Sequence, residues 1–293
     1  MREQSTGLFF IKMEREGKKM QKDNISNSFK LGKTARVIRE AFYERGYSEI
    51  FLPTIDRYSG RLREGLKTAV NNEFYVIRPD VTSHLLANRI NDDELKIFYV
   101  SEVLKGSVEG QWQIGAEWIG GEPGRASRIG EMIDLIGTIL NKLALTDFSI
   151  DIGSIKAWEN LISGDFAQRE QIFEAIKTRS FSAIEKLSLP VQIREKLLKN
   201  LRTRGSVSDD PTIRSVIESR QDRNIIVDLG TIRLFDYYDD IVIEIYTKNH
   251  SRAIGGGGEY INQGQQCFGF ALDLEALADL SRESDDKGRD NND

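Results

Sequence analysis

From residue 29 onward the apolar positions follow two periods. Leu31, Ala35, Ile38 and Phe42 recur at helical spacing, and Gly46 ends that stretch. Tyr47–Leu52 alternates instead, with Ile50 and Leu52 on one face, and predicts a strand closed by Pro53. Phe74–Arg78 predicts a second short strand. A helix from Asp80 to Ile90 follows, capped by Asp80 or Thr82. Ile97–Leu104 and Gln111–Gly120 read as strands joined by a glycine-containing turn, Gly106–Gly110, the signal of an antiparallel hairpin. Ile129–Leu145 is an amphipathic helix and Asp147–Gly153 a strand. Between residues 155 and 220, Trp158, Leu161, Phe173, Ile176, Leu187, Leu197, Leu198 and Leu201 fall on helical periods among many charges. Strands resume at Asn224–Leu229, Ile232–Tyr238, Asp240–Tyr246 and Phe268–Leu272, and a helix over Asp273–Leu280 closes the pattern.

Antiparallel hairpins around a block of helices predict an α+β fold rather than an alternating βαβ one. The division expected is a flexible leader at 1–28, a core at 29–280 with a helical insertion at about 155–220, and a tail at 281–293. The tail has no apolar residue and is expected to be disordered.

Composition narrows the function classes. The chain has 293 residues, 39% hydrophobic and 30% charged, enough for one large domain or two modest ones. Its net charge of -5 argues against nucleic acid as the main partner. A single cysteine, Cys267, rules out an internal disulfide and a thiolate metal cluster and fits a reducing cytoplasm. Two histidines, His84 and His250, exclude a histidine-rich metal site. No apolar run approaches the roughly 18 residues of a membrane span. Leu8–Ile11 is too short for a signal-peptide core of about 7–15 residues. The expectation is a cytoplasmic protein with no membrane association, no metal and no cofactor.

Four segments carry candidate chemistry, each with a plainer reading. Arg78-Pro79-Asp80-Val81-Thr82 is either a helix cap or a recognition loop in which Asp80 or Thr82 accepts hydrogen bonds from an ammonium group. Gln113, Gly115 and Glu117 share one strand face. Such a face makes poor core and predicts a polar cavity over the sheet. Arg233 to Tyr238 is either aromatic strand packing or an Arg that pairs with a carboxylate beside a Tyr hydroxyl that orients a small ligand. Gly255–Gly258 lacks the Lys-Ser/Thr of a P-loop and the spacing of a dinucleotide fingerprint, and reads as a tight turn.

Taken in order, these segments resemble the catalytic core of a class II aminoacyl-tRNA synthetase, specifically histidyl-tRNA synthetase. Gly46-Tyr47…Pro53 resembles motif 1. Phe98-Tyr99-Val100…Lys105 with Gln113–Glu117 resembles motif 2, and Gly269–Leu272…Leu274–Leu277 resembles motif 3. Arg78–Thr82 is similar to the loop that contacts the amino group of histidine, Arg233–Tyr238, continuing to Glu244, to the histidine-specific motif, and Gly257–Tyr260 to a Gly-Gly-Arg-Tyr segment. The resemblance spans about residues 29–280. It implies an antiparallel sheet flanked by helices and a histidine pocket of Asp80, Thr82, Gln113, Glu117, Arg233, Tyr237 and Tyr238.

The resemblance also breaks in a pattern. Lys105 stands where the family has an Arg, Ala276 replaces the motif 3 Arg, and Glu259 replaces the Arg of the Gly-Gly-Arg-Tyr segment. Arg grips phosphate bidentately and Lys does not. Loss of one such group costs on the order of 10²–10³ in rate. The sequence also ends soon after motif 3, where the family continues into an anticodon-binding domain. These departures imply lost adenylation and lost tRNA recognition with a retained amino-acid pocket. In this the chain is similar to the regulatory subunits of ATP phosphoribosyltransferase, which lack catalysis of their own. That likeness implies a homodimer within a hetero-oligomer, a short-form catalytic subunit as partner, and L-histidine as effector at the first step of histidine biosynthesis. The competing expectations are a divergent histidyl-tRNA synthetase or amino-acid ligase, and a free-standing accessory protein.

Overall fold

The computed structural model describes residues 25–58, 65–88, 94–104, 110–121, 124–162, 167–205, 210–218, 224–233 and 237–289, with backbone alone for 282–289. Helix α1, residues 25–44, begins four residues before the expected boundary of the leader. The rest of the leader lies outside the described residues, as do Lys105 and the start of the predicted hairpin turn.

A nine-stranded sheet forms the centre. In chain order its strands are β1 (Ser48–Glu49), β5 (Glu94–Leu104), β6 (Gly110–Gly120), β7 (Phe148–Ser154), β8 (Arg204–Gly205), β9 (Ile225–Asp228), β10 (Tyr238–Thr247), β11 (Gly255–Asn262) and β12 (Gln265–Asp273). In space the order is β1-β5-β6-β12-β11-β10-β7-β9-β8. The pairs are antiparallel except β1 with β5 and β7 with β9. A separate three-stranded sheet, β2 (Ile55–Arg57), β3 (Leu66–Val70) and β4 (Glu73–Ile77), precedes helix α2 (Val81–Asn88).

One face of the large sheet is apolar because alternate strand residues are. Ile114 and Ala116 of β6, Ile150 and Ile152 of β7, Ile241, Ile243 and Ile245 of β10, and Phe268 and Phe270 of β12 are buried together. Ile38 and Phe42 of α1, Ile133 and Ile136 of α3 (Arg125–Lys142), Ile213 and Val216 of α8 (Pro211–Glu218), and Leu277 of α9 (Leu274–Arg289) cover that face. Each such side chain contributes about 1.5–3 kcal/mol on burial. The opposite face carries the polar residues and the insertion.

The insertion has its own core. Trp158 and Ile162, at and just beyond α4 (Ile155–Leu161), pack with Ile172 and Ile176 of α5 (Arg169–Lys177), Ile184 of α6 (Phe181–Lys186), and Leu197 and Leu201 of α7 (Val191–Arg202). Ser154 caps α4 by accepting from the Ala157 amide at 3.0 Å. Asp228, fully buried, accepts from Arg179 at 2.7 Å and from Arg204, and Arg204 also reaches Asp151 at 2.7 Å. Two arginines of the insertion thus clamp two carboxylates of the sheet. Helix α8, within the range expected for the insertion, packs on the main core instead.

Four sequence expectations change. The motif 1 strand is only Ser48–Glu49, although Ile50 still donates to the Phe98 carbonyl at 2.9 Å. The expected strand Ile232–Tyr238 does not form: 231–233 is irregular, 234–236 lies outside the described residues, and β10 starts at Tyr238. The chain there turns at Asp228, whose carbonyl accepts from Thr231 at 2.9 Å. The glycine run is not a tight turn but an inner strand, β11, because its neighbours leave no room for side chains. The tail, expected to be disordered from residue 281, is helical in its backbone as far as Arg289.

Candidate functional site

The polar face of the sheet holds a cavity of about 150 Å³. Strand β6 supplies one wall: because Ile114 and Ala116 point into the core, Gln113, Gly115 and Glu117 point the other way. Glycines on neighbouring strands make the floor. A Cβ on Gly269 would collide with the Glu117 carboxyl, and one on Gly256 with the Arg233 guanidinium. Gly258 leaves space for the Tyr238 ring, and Gly115 for the Tyr99 hydroxyl. These glycines let polar side chains lie flat on backbone.

The loop before α2 supplies the next wall. Asp80 caps that helix, its Oδ1 accepting from the Ser83 amide and its Oδ2 from the Ser83 hydroxyl, both at 2.8 Å. Thr82 Oγ1 donates to Glu117 Oε1 at 2.7 Å. Arg78, fully buried, donates to the Leu52 carbonyl at 3.1 Å and to Ser101 at 2.9 Å, so it braces the loop and does not line the cavity. Asp80 thus serves as the cap of the helix while also lining the cavity.

Six of the seven residues expected at the site line the cavity: Asp80, Thr82, Gln113, Arg233, Tyr237 and Tyr238. Glu117 lies against its floor, 1% exposed, with Oε2 free of hydrogen bonds. Sequence reasoning did not place Gln111 or Asp273 there, and it carried the histidine-specific motif as far as Glu244 without counting that residue in the pocket. Glu244 is signalled in retrospect by strand alternation, a lone acid between Ile243 and Ile245. Asp273 caps α9 by accepting from the Ala276 amide at 2.9 Å, and Gln111 donates to its other oxygen.

Burial sets the electrostatics. It lifts the Glu117 carboxyl from 4.5 to about 7, helped by the negative charge of Asp80 and opposed by the hydrogen bond from Thr82 and by the nearby Tyr260 hydroxyl. The same burial raises the Tyr99, Tyr238 and Tyr260 hydroxyls, so all three are neutral donors. The Tyr237 and Tyr238 rings meet at 4.7 Å between centroids. Among the described lining residues one guanidinium, Arg233, faces three carboxylates, Asp80, Glu244 and Asp273. Such a site suits a small zwitterion carrying a further hydrogen-bonding group, and repels a polyanion. Among the described residues no cluster fit for a metal ion is present.

The histidyl-tRNA synthetase family matches residues 26–213 and 206–277 of the sequence. The chain belongs to that family. The ATP phosphoribosyltransferase regulatory subunit of Carboxydothermus hydrogenoformans is 24% identical over 296 residues, covering 85% of this chain and 90% of that protein. The crystal structure of an ATP phosphoribosyltransferase regulatory subunit/histidyl-tRNA synthetase from Bacillus halodurans is similar with a TM-score of 0.72 at 21% identity, covering 85% and 78% of the two chains. A chain of the ATP phosphoribosyl transferase complex from Thermotoga maritima gives 0.68 at 18%, covering 83% and 96%. These structural likenesses establish the class II synthetase-like α+β fold.

Two of the departures from the synthetase-family pattern fall on described residues. Ala276 sits in the first turn of α9, half-buried, beside Asp273 of the cavity. Glu259 does not bear on the cavity. It points to the opposite face of the sheet, where Arg125 at the start of α3 donates to Oε1 at 2.7 Å and Oε2 at 2.5 Å. The expectation that Glu259 removes a phosphate-gripping cation is corrected accordingly: its neighbours Gly256 and Gly258 face the cavity, and strand alternation turns Glu259 away.

Proposed function

We propose that this chain is a non-catalytic regulatory subunit of ATP phosphoribosyltransferase, acting at the first step of L-histidine biosynthesis through a separate catalytic chain. The observation that carries the reading is the charge of the cavity: among the described lining residues, one guanidinium and three carboxylates. A triphosphate brought there would meet net repulsion, and the motif 3 position that could supply a second cation is Ala276. The relatives named as regulatory subunits support the same assignment.

In this reading the cavity binds L-histidine as the feedback effector. Arg233 pairs with its carboxylate, Asp80 and Thr82 receive its ammonium group, and Gln113, Tyr237, Tyr238 and Glu117 surround the imidazole. Aminoacylation and tRNA binding are lost. The subunit acts as a homodimer within a hetero-oligomer. Support for self-association is the exposed apolar side chains on and beside the small sheet: Ile55, Leu66 and Val70 on one of its faces, Phe74 on the other, and Phe51 just before it. The free, buried Cys267 accords with a reducing compartment, and we assign the chain to the cytoplasm.

The test is reconstitution. Mixed with the short-form catalytic chain of the same genome, the protein is expected to form a complex, activate phosphoribosyl transfer, and confer inhibition by L-histidine. It is expected to catalyse no histidine-dependent exchange of pyrophosphate into ATP. Exchange by the chain alone would establish the second reading, a divergent histidyl-tRNA synthetase, which the family match favours.

A further inference from the structure

The small sheet ends on an open strand. Its order is β2-β4-β3, so among the described residues β3 (Leu66–Val70) is an outer strand, and all five of its residues are exposed. Asn71 and Asn72, at φ of 51° and 65°, make the two-residue turn into β4. The ladder with β4 fixes which backbone groups of β3 are left over. The Phe74 carbonyl of β4 accepts from the Tyr58 amide at 2.9 Å, so it is directed to the β2 side and away from its β3 neighbour Ala69. Bonded and non-bonded pairs alternate along an antiparallel ladder. Leu66, Thr68 and Val70 therefore bond to β4, while Lys67 and Ala69 direct their N–H and C=O groups to the open edge.

We propose that the β3 edges of two copies of this chain pair antiparallel across a two-fold axis at Thr68, joining two small sheets into one of six strands; the inference rests on the homodimer reading and deepens it. In that register Lys67 of one copy faces Ala69 of the other on both sides of the axis. The two residues with free donors and acceptors thus meet each other, and each such pair exchanges two hydrogen bonds. The side chains match too. Leu66 of one copy meets Val70 of the other, on the sheet face that also exposes Ile55. No charge stands directly opposite a like charge. The two Lys67 side chains are diagonal neighbours, and each Nζ lies 5.2 Å from the centre of its own Tyr58 ring. An open outer strand pairs with a strand that fits it. Here the five residues fit themselves in one register, and that self-match names a second copy as the occupant.

The experiment is cross-linking of the full-length chain. At the axis Thr68 forms a non-hydrogen-bonded pair, with Cα atoms about 4.5 Å apart, inside the roughly 4.4–6.8 Å that a disulfide spans. The two copies of Leu66 would lie about 14 Å apart, four residues along the strand and one strand spacing across. The native thiol, Cys267, is buried. Oxidised Thr68→Cys is expected to run as a covalent dimer and Leu66→Cys is not. Ala69→Pro removes one outward amide and spares the ladder with β4. Its dimer is expected to dissociate at least roughly tenfold more readily in sedimentation, with an unchanged circular dichroism spectrum. A wild-type dimer in which Thr68→Cys does not cross-link, or Leu66→Cys cross-links equally, overturns the strand pairing and spares the homodimer. A monomeric wild type overturns both. Loss of catalytic-chain binding in Ala69→Pro, with the dimer unchanged, assigns the edge to that chain instead.

Discussion

The Arg233 guanidinium lies directly over Gly256, where even a methyl group would collide with it. An irregular segment before β10 supplies the cation and an inner strand the space for it, so neither makes the site alone. Replacing Arg233 with Ala removes the one cation of the described lining. A charge-assisted hydrogen bond is worth about 1.5–3 kcal/mol, so L-histidine affinity is expected to fall roughly ten- to a hundredfold. Calorimetry on the purified chain measures this; unchanged affinity would place the effector elsewhere.

Glu117 makes stability depend on pH. Its folded pKa of about 7 lies above the ordinary 4.5, so the folded state holds the proton more tightly than the unfolded chain. This group's contribution is most favourable below about 4.5, declines as pH rises, and levels off above about 7. Glu117→Gln removes that decline. The stability of the variant relative to wild type is expected to grow between about pH 5 and about pH 8, by at most about 3 kcal/mol at 1.36 kcal/mol per unit. Urea titrations across that range check it, and a flat difference would refute it.

The clamp between insertion and sheet is testable through Asp228. Its carboxylate is fully buried and takes hydrogen bonds from Arg179, Arg204 and the Gly230 amide. Both arginine side chains are nearly half exposed, so water can partly replace the lost partner. Asp228→Ala is expected to cost about 1–3 kcal/mol. Hydrogen exchange should quicken first in α5 to α7, and uniform quickening across the chain would contradict a local clamp.

The small sheet predicts an assembly phenotype. Phe51 is 84% exposed and Phe74 65%. Phe51→Glu with Phe74→Glu is expected to leave Tm of the monomer fold unchanged and to shift the protein from dimer to monomer in sedimentation. Retention of the dimer would move the interface elsewhere.

Much of this was legible in the chain. Alternation in Gln111–Gly120 places Glu117 and Gln113 on a polar face, and the heptad-like spacing of Leu31 to Phe42 gives a helix that begins only slightly earlier than expected. Asp80 marked a helix start because a capping carboxylate is a local signal. Glu259 was misread for the opposite reason. A motif match fixes a position along a strand, but the side of the sheet it serves depends on its neighbours, and here Arg125 claims it from another helix.

Local periodicity and capping chemistry settled most of the elements, the α+β class and the polar strand face of Gln113 and Glu117, since those signals act over a few residues, while the family resemblance supplied the rest of the expected pocket. Tertiary structure alone decided that four consecutive glycines would form an inner strand, that Arg233 would rest on one of them, and that Glu244 and Asp273 would complete the lining. Those outcomes come from strands distant in sequence pressing against each other, where steric room and net charge are shared across the sheet and written in no single segment.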